Sequence, residues 1–161
     1  MKSIHNSQKI LIFTDGSVDP KSKVGYGAYI ITDNTDINSQ NVKTKRFEDT
    51  SSTKLELQIL LYVLSIIKTT KNITIYTDSQ NIVGLQNRRQ RFEQNEYYTK
   101  AKKLIANHSL YKEFFEFCDV KEFEVIKVIG HQKESLKSDI DKVFSLVDNA
   151  SRDKLREKDN N

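Results

Sequence analysis

Short apolar runs separated by polar breaks predict a series of strands in the first third of the chain. Residues 9–14 (KILIFT) form a β-rich apolar run, and the Asp15-Gly16-Ser17 sequence after it is typical of a turn. Residues 24–32 are rich in β-branched and aromatic side chains, and residues 42–48 alternate less cleanly, as an edge strand does. Three successive strands of this kind predict an antiparallel meander.

The rest of the chain alternates between helix and strand patterns. Residues 53–68 are apolar on nearly all sides, which is typical of a helix packed into a core. The later predicted elements are a strand at 73–77, a short helix ending at Leu85, a helix at 109–117, a strand at 123–129 and a final helix at 143–157. Between the short helix and the 109–117 helix, residues 86–108 form a polar and basic insert. This order predicts an α/β fold with a mixed sheet covered by helices.

Length and composition favour a single soluble domain. The chain has 161 residues, within the size range of one hydrophobic core, so we expect one domain over 1–161 with flexible tails at 1–8 and 158–161. The net charge of +4 suits a polyanionic partner. Cys118 is the single cysteine, which excludes an internal disulfide and fits a reducing compartment. The longest apolar run, 57–67, is too short to cross a bilayer, so we expect a monomeric cytoplasmic protein without membrane association.

Four acidic residues occupy positions that a folded chain could bring together. Asp15 and Asp78 each follow a predicted strand, and the carboxyl ends of parallel neighbouring strands open at the same edge of a sheet. Glu56 lies in the first turn of the central predicted helix, and Asp148 lies near the start of the last one. Crowded carboxylates repel one another unless cations lie between them, so such a cluster implies Mg²⁺ or Mn²⁺.

Each of these residues also has a purely structural explanation. Asp15 before glycine is typical of a turn, and Asp78 before serine could cap a helix. Thr53 and Glu56 have the spacing of a capping box, and Asp148 could stabilise the positive end of its helix. Only the joint pattern of the four favours a functional site.

Several motifs resemble type I ribonuclease H in order and in context, over nearly the whole chain from Lys9 to Arg156. They are TDGS at 14–17, VGYGAYII at 24–31, SSTKLEL at 51–57, IYTDSQNIVGL at 75–85, VIGHQKES at 128–135 and LVDNASR at 146–152. The resemblance implies a five-stranded mixed sheet flanked by helices. It also implies a metal-binding tetrad and a mobile histidine that assists proton movement or product release; these are Asp15, Glu56, Asp78 and Asp148, with His131 as the histidine.

One departure from the family pattern leaves an alternative for the fourth carboxylate. The interval from His131 to Asp148 is longer than is usual in the family, and Asp141 lies nearer the common spacing. We favour Asp148 because the residues after it, Asn149 to Arg152, keep the small and basic character that follows the family's aspartate.

The resemblance implies a metal-dependent endoribonuclease that hydrolyses the RNA strand of an RNA–DNA hybrid with two Mg²⁺ ions, or with Mn²⁺, and leaves 5′-phosphate and 3′-hydroxyl ends. Relatives often have asparagine where Ser52 stands. This departure affects the expected strength, but not the existence, of the contact with the RNA 2′-hydroxyl. The candidate substrate contacts are Ser51, Ser52, Thr53, Gln80 and Asn81, with Arg88, Arg89 and Arg91 from the basic insert. The alternatives are a DNA-directed nuclease or 3′–5′ exonuclease of related fold, a catalytically silent nucleic-acid-binding module, and a small protein-interaction domain.

Overall fold

Five strands form a mixed sheet in the part of the chain that the computed structural model describes, residues 8–129 and 138–159. The strands are β1 (Ile10–Asp19), β2 (Val24–Thr32), β3 (Lys43–Phe47), β4 (Ile73–Thr77) and β5 (Phe123–Lys127). Their spatial order is β3-β2-β1-β4-β5. Strands β1, β2 and β3 are antiparallel neighbours, whereas β4 is parallel to β1 and β5 is parallel to β4. The predicted meander and the mixed sheet are therefore confirmed.

Helices cover both faces of this sheet. They are α1 (Ser52–Ile66), α2 (Gln80–Val83), α3 (Leu85–Gln94), α4 (His108–Val120) and α5 (Asp139–Asp159), with a 3-10 turn at Ser39–Asn41. Alternate residues of a strand point to opposite faces, so Ile12 packs with α1 and α4, whereas Leu11 and Phe13 pack with α5. Two apolar cores result, one on each side of β1.

Helix α1 is buried as its all-round apolar sequence predicts. Its interior positions from Leu57 to Leu64 include Ile59, Leu60 and Val63, none of which is exposed. One side of the helix packs on β1 and β2 and another side on α4. A helix enclosed from several directions needs apolar residues on more than one face.

The element bounds differ from the sequence prediction at two places that affect the site. Strand β1 does not stop at Thr14, because the residues from Asp15 to Asp19 continue its ladder with β2. Helix α5 begins at Asp139, four residues before the predicted start at 143. Residues 86–94 of the basic insert belong to α3. Strands β2 and β4 have the predicted bounds, and the remaining bounds differ by at most three residues. Among the described residues, no helix combines the length and the apolar composition that a bilayer crossing needs.

Candidate metal centre

The two aspartates at the centre of the sheet come from neighbouring parallel strands. Phe13 of β1 lies opposite Tyr76 of β4. Asp15 and Asp78 each follow two residues later, so they lie side by side on the same face. The prediction that the first strand stops before Asp15 is wrong, because Asp15 pairs with Ala28 inside the β1–β2 ladder. The structure nevertheless brings the two carboxylates together where β4 ends.

Helix α1 approaches the sheet closely because glycines face it. A Cβ atom on Gly16 would lie 2.9 Å from Leu55 Cγ, and one on Gly27 would lie 2.7 Å from Ile59 Cβ. Both distances are too short for packed carbon atoms, so only glycine allows this approach. Since Leu55 immediately precedes Glu56, the same contact brings the Glu56 carboxylate to the aspartates. The sequence prediction missed this role and took Gly16 for a turn residue, although glycines within a β-rich run are a signal of close backbone approach.

Two serines cap the helices that begin at the site. Ser51 Oγ accepts a hydrogen bond from the Lys54 N–H at 3.3 Å, so Ser51 and not Thr53 is the N-cap of α1. The capping-box explanation of Glu56 is therefore wrong, and Glu56 lies in the second turn rather than the first. Ser79 is the N-cap of α2, since its Oγ accepts from the Ile82 N–H at 3.2 Å.

Ser79 has a second contact that matters for the site. Its hydroxyl lies close enough to the Glu56 carboxylate to favour the charged form and lower the pKa of that group. The cap of α2 thus neighbours a carboxylate of α1, and Ser79 rather than Asp78 is the cap. This leaves both acidic side chains directed into the site.

Carboxylate oxygens of Asp15, Glu56 and Asp78 lie within 4.8 Å of one another. Asp15 is 7 % exposed, and this burial, together with the charges of Asp78 and Asp148, raises its pKa to about 8, although a hydrogen bond from the Gly16 backbone acts in the opposite direction. Burial and the charge of Asp78 also raise the pKa of Glu56, while the Ser79 hydrogen bond lowers it. The protein alone therefore disfavours negative charge here, and a divalent cation would relieve the repulsion.

Asp148 lies beside this group of three. Its carboxyl lies close enough to Asp15 to raise the pKa of that group, and its Oδ1 forms an ion pair with Arg152 Nε at 3.0 Å. Asp148 stands in the middle of α5 and not near its start, so the prediction of its place in the helix is wrong. A favourable interaction with the helix dipole is confined to the first turn and cannot explain its position.

The alternative fourth carboxylate, Asp141, has a structural role. Its Oδ2 accepts from the Ser138 N–H at 3.1 Å and from Ser138 Oγ at 2.9 Å, and its own N–H donates to Ser138 Oγ at 3.2 Å. This reciprocal pair is a capping box at the start of α5. Of the two candidates, the structure brings Asp148 to Asp15.

Five of the candidate substrate contacts lie at the starts of α1, which contains Glu56, and of α2, which follows Asp78 in the sequence. Ser51, Ser52 and Thr53 are exposed at the first turn of α1. Gln80 is exposed at the start of α2, and its Oε1 accepts from Lys127 Nζ at 2.9 Å. The Asn81 side chain is engaged internally: its Nδ2 donates to the Tyr111 hydroxyl at 3.1 Å, and its Oδ1 accepts from Arg88 at 2.8 Å.

The three arginines of the insert lie on α3 and have different surroundings. Arg88 donates to the backbone carbonyls of Asn81 and Gly84. Arg89 forms ion pairs with Glu93 and with Asp119 of α4. Arg91 is exposed, with its guanidinium 5.9 Å from the ring centroid of Phe92. Arg88 and Arg89 therefore hold α3 against its neighbours, and Arg91 is the most accessible of the three.

The donors at the site fit a hard divalent cation. All of them are carboxylate oxygens, which are the ligands that Mg²⁺ and Mn²⁺ prefer. A buried group of acids whose charges repel is also the arrangement that gains most from a bound cation. His131, the predicted mobile histidine, lies outside the described residues.

A five-stranded mixed sheet with converging carboxylates at its centre defines a class, the α/β proteins with a candidate metal site at their central strands. Comparison with known proteins specifies the family. A family model described as RNase H matches residues 7–158, so the chain belongs to the ribonuclease H family.

Relatives and solved structures agree with this assignment. The chain is 28 % identical over 141 residues to the ribonuclease H of Caldicellulosiruptor saccharolyticus, a match that covers 84 % of this chain and 93 % of the relative. It is 27 % identical to the ribonuclease H of Clostridium botulinum, with the same coverage. In fold it resembles the solution structure of the PFV RNase H domain, with a TM-score of 0.70 and 18 % identity over 90 % of this chain and 93 % of that one. A foamy viral protease-reverse transcriptase, solved in complex with dsDNA, gives a TM-score of 0.66 at 13 % identity over 89 % of this chain and 94 % of that one.

Proposed function

We propose that this ribonuclease H family member hydrolyses the RNA strand of RNA–DNA hybrids in a reaction that depends on two Mg²⁺ ions and leaves 5′-phosphate and 3′-hydroxyl ends. The observation that supports this proposal is the convergence of Asp15, Glu56 and Asp78 within 4.8 Å. Because all four proposed ligands come from one chain, we also propose that a monomer is sufficient. A cytoplasmic location stays a prediction from the sequence.

The proposed metal ligands are Asp15, Glu56, Asp78 and Asp148. Metal ions held there would supply Lewis-acid stabilisation of the phosphate and an activated water. The chain itself contributes orientation: β1 and β4 fix the two aspartates, and Ser79 fixes the Glu56 carboxylate. We propose that His131 assists proton movement or product release, as the family resemblance implies.

The proposed hybrid-binding surface lies around the carboxylates. RNA is distinguished from DNA through its 2′-hydroxyl groups and through duplex shape in the shallow minor groove. We propose that Gln80 and the residues Ser51, Ser52 and Thr53, all of them exposed, make such contacts. Asn81 would contribute with a side chain that Arg88 and Tyr111 already orient. On α3, Arg91 is the proposed phosphate contact, and Arg88 and Arg89 would add positive charge next to it.

The test is a cleavage assay with three end-labelled duplexes of the same sequence: RNA–DNA hybrid, RNA–RNA and DNA–DNA. We expect cleavage of the hybrid's RNA strand in Mg²⁺ and none in excess chelator. Asp15→Asn and Asp78→Asn should keep the circular dichroism spectrum of the folded protein and lower the rate by about a hundredfold or more. Preferential cleavage of DNA–DNA would favour the DNA-directed nuclease, and hybrid binding without cleavage would favour the silent binding module.

A further inference from the structure

Two serines form a polar link between β1 and α5 next to the carboxylates. Ser17 Oγ and Ser151 Oγ lie 3.0 Å apart. Ser151 is 0 % exposed, which is unusual for a polar side chain unless it is hydrogen-bonded. Both serines lie in motifs that carry the family resemblance, TDGS at 14–17 and LVDNASR at 146–152, but the catalytic proposal gives neither of them a role.

The hydrogen bonds of the pair have a direction. Ser151 Oγ is 3.1 Å from the backbone carbonyl oxygen of Asp148, which can only accept. Ser151 therefore donates its hydroxyl proton to that carbonyl, and Ser17 donates to Ser151 Oγ. The chain of bonds runs from β1 through Ser151 to the backbone of Asp148.

This link joins the two segments that hold Asp15 and Asp148. Ser17 lies two residues after Asp15, so both side chains are on the α5 face of β1. Ser151 lies one helical turn after Asp148. The hydrogen bond between the serines thus joins α5 to β1 at the level of the carboxylates.

Apolar packing holds α5 through Val147, and the partly buried Ala150 adds a smaller apolar contact after it. Val143, Phe144 and Val147 pack into the core on the α5 side of the sheet. After Val147, the only buried side chain among those described in α5 is Ser151. Beyond Asp148, the fully buried contact of the described part of α5 is therefore a polar one, which adds to the apolar packing of Val147 and Ala150.

We propose that Ser151, through its bond to Ser17, is a positioning residue that holds Asp148 at the metal centre. The inference rests on the proposed function, because it assumes that Asp148 is a metal ligand. Loss of the link would let the middle of α5 move away from β1. The variant would then bind the metal ion less tightly, because a carboxylate that must be repositioned is a weaker ligand.

The test measures Mg²⁺ binding by the rise in melting temperature during titration, in parallel with hybrid cleavage. For Ser151→Ala and for Ser17→Ala we expect the half-saturating Mg²⁺ concentration to increase about three- to tenfold, as for the loss of one hydrogen bond. The KM for the hybrid should stay constant, with kcat at saturating Mg²⁺ near that of the parent. Ser17→Thr keeps a hydroxyl and suits a strand, so it should restore near-parental Mg²⁺ binding.

Ser145→Ala is the matched control. Ser145 is a partly buried serine of the same helix, and its Oγ donates to the Asp141 carbonyl at 3.1 Å. This variant loses the same kind of bond one and a half turns before Ser151. We expect it to leave the Mg²⁺ midpoint within about twofold of the parent; an equal increase in Ser145→Ala and Ser151→Ala would show a general effect on the helix and overturn the proposal.

A double-mutant cycle with Asp148→Asn separates positioning from stability. If Ser151 acts through Asp148, Ser151→Ala should not weaken Mg²⁺ binding further in the Asp148→Asn background. Additive effects would overturn the inference while leaving the proposed function intact. A parent protein that shows no response to Mg²⁺ and no cleavage of the hybrid would instead overturn the proposed function, and the inference with it.

Discussion

Burial disfavours the ionised form of the Asp15 carboxyl, and this should make the free energy of unfolding depend on pH when metal is removed. The pKa of this carboxyl is raised from 3.8 to about 8 by burial and by the neighbouring aspartates. Between these values the folded protein keeps a proton that the unfolded chain releases, so increasing pH favours unfolding. In chelator, the free energy of unfolding should fall from about pH 4 to pH 8, by up to about 1.4 kcal/mol per pH unit from this group.

Urea unfolding at several pH values measures this dependence. The control is Asp15→Asn, which removes the titrating group while keeping a polar side chain of similar size. We expect a clearly shallower fall in the variant, since the remaining carboxylates still titrate. Equal slopes in both proteins would show that the Asp15 carboxyl is not the group responsible.

Asp148 and Asp141 offer a second comparison at the scale of single residues. Asp148→Asn replaces a carboxylate next to Asp15 by a neutral amide, so hybrid cleavage should decrease at least tenfold, which corresponds to an increase of roughly 1.4 kcal/mol or more in the activation free energy. Asp141→Asn instead weakens the capping box with Ser138 and should cost about 1 kcal/mol of stability with cleavage retained. If Asp141→Asn abolished cleavage and Asp148→Asn did not, the fourth ligand would be Asp141.

At the scale of elements, the placement of α1 decides whether Glu56 reaches the aspartates. Gly27→Ala would put a Cβ 2.7 Å from Ile59 Cβ and force α1 away from the sheet. We expect a loss of about 1–3 kcal/mol in the free energy of unfolding, as for overpacking, and a decrease in cleavage. Gly84→Ala is the control, because its Cβ would lie 3.7 Å from the Gln80 carbonyl oxygen, an ordinary contact. Comparable losses in both variants would argue against the packing explanation.

The elements also show what the sequence could and could not predict. Strands β2 and β4 have the predicted bounds because they are dense in β-branched and aromatic residues between clear breaks. The end of β1 was predicted too early because Asp15-Gly16-Ser17 has the composition of a turn, whereas the ladder with β2 overrides that local preference. The start of α5 was missed although Ser138 and Asp141 have capping-box spacing, a signal that was present in the sequence.

At the scale of the whole molecule, motif order predicted the fold and the approach of the carboxylates, but not the contacts that hold them in place. The approach of Leu55 to Gly16 and the Ser17–Ser151 bond each join residues far apart in the chain. Neither contact has a local sequence pattern, because each depends on how α1 and α5 settle on the sheet. Contacts of this kind can be recognised only in the three-dimensional structure.

Divalent cations should stabilise the whole fold, because the acidic centre connects β1, β4, α1 and α5. An ion that binds only the folded state adds about 2.7 kcal/mol at a concentration one hundred times its dissociation constant, which raises the melting temperature of a chain of this size by roughly 5–10 °C. We expect Mg²⁺ to produce this rise at pH 8, and NaCl of equal ionic strength to produce little of it. In Asp15→Asn the Mg²⁺ effect should shrink to that of NaCl, because the variant loses the carboxylate that both Asp78 and Asp148 contact. A parent protein whose melting temperature responds equally to the two salts would show that the acidic centre binds no divalent ion.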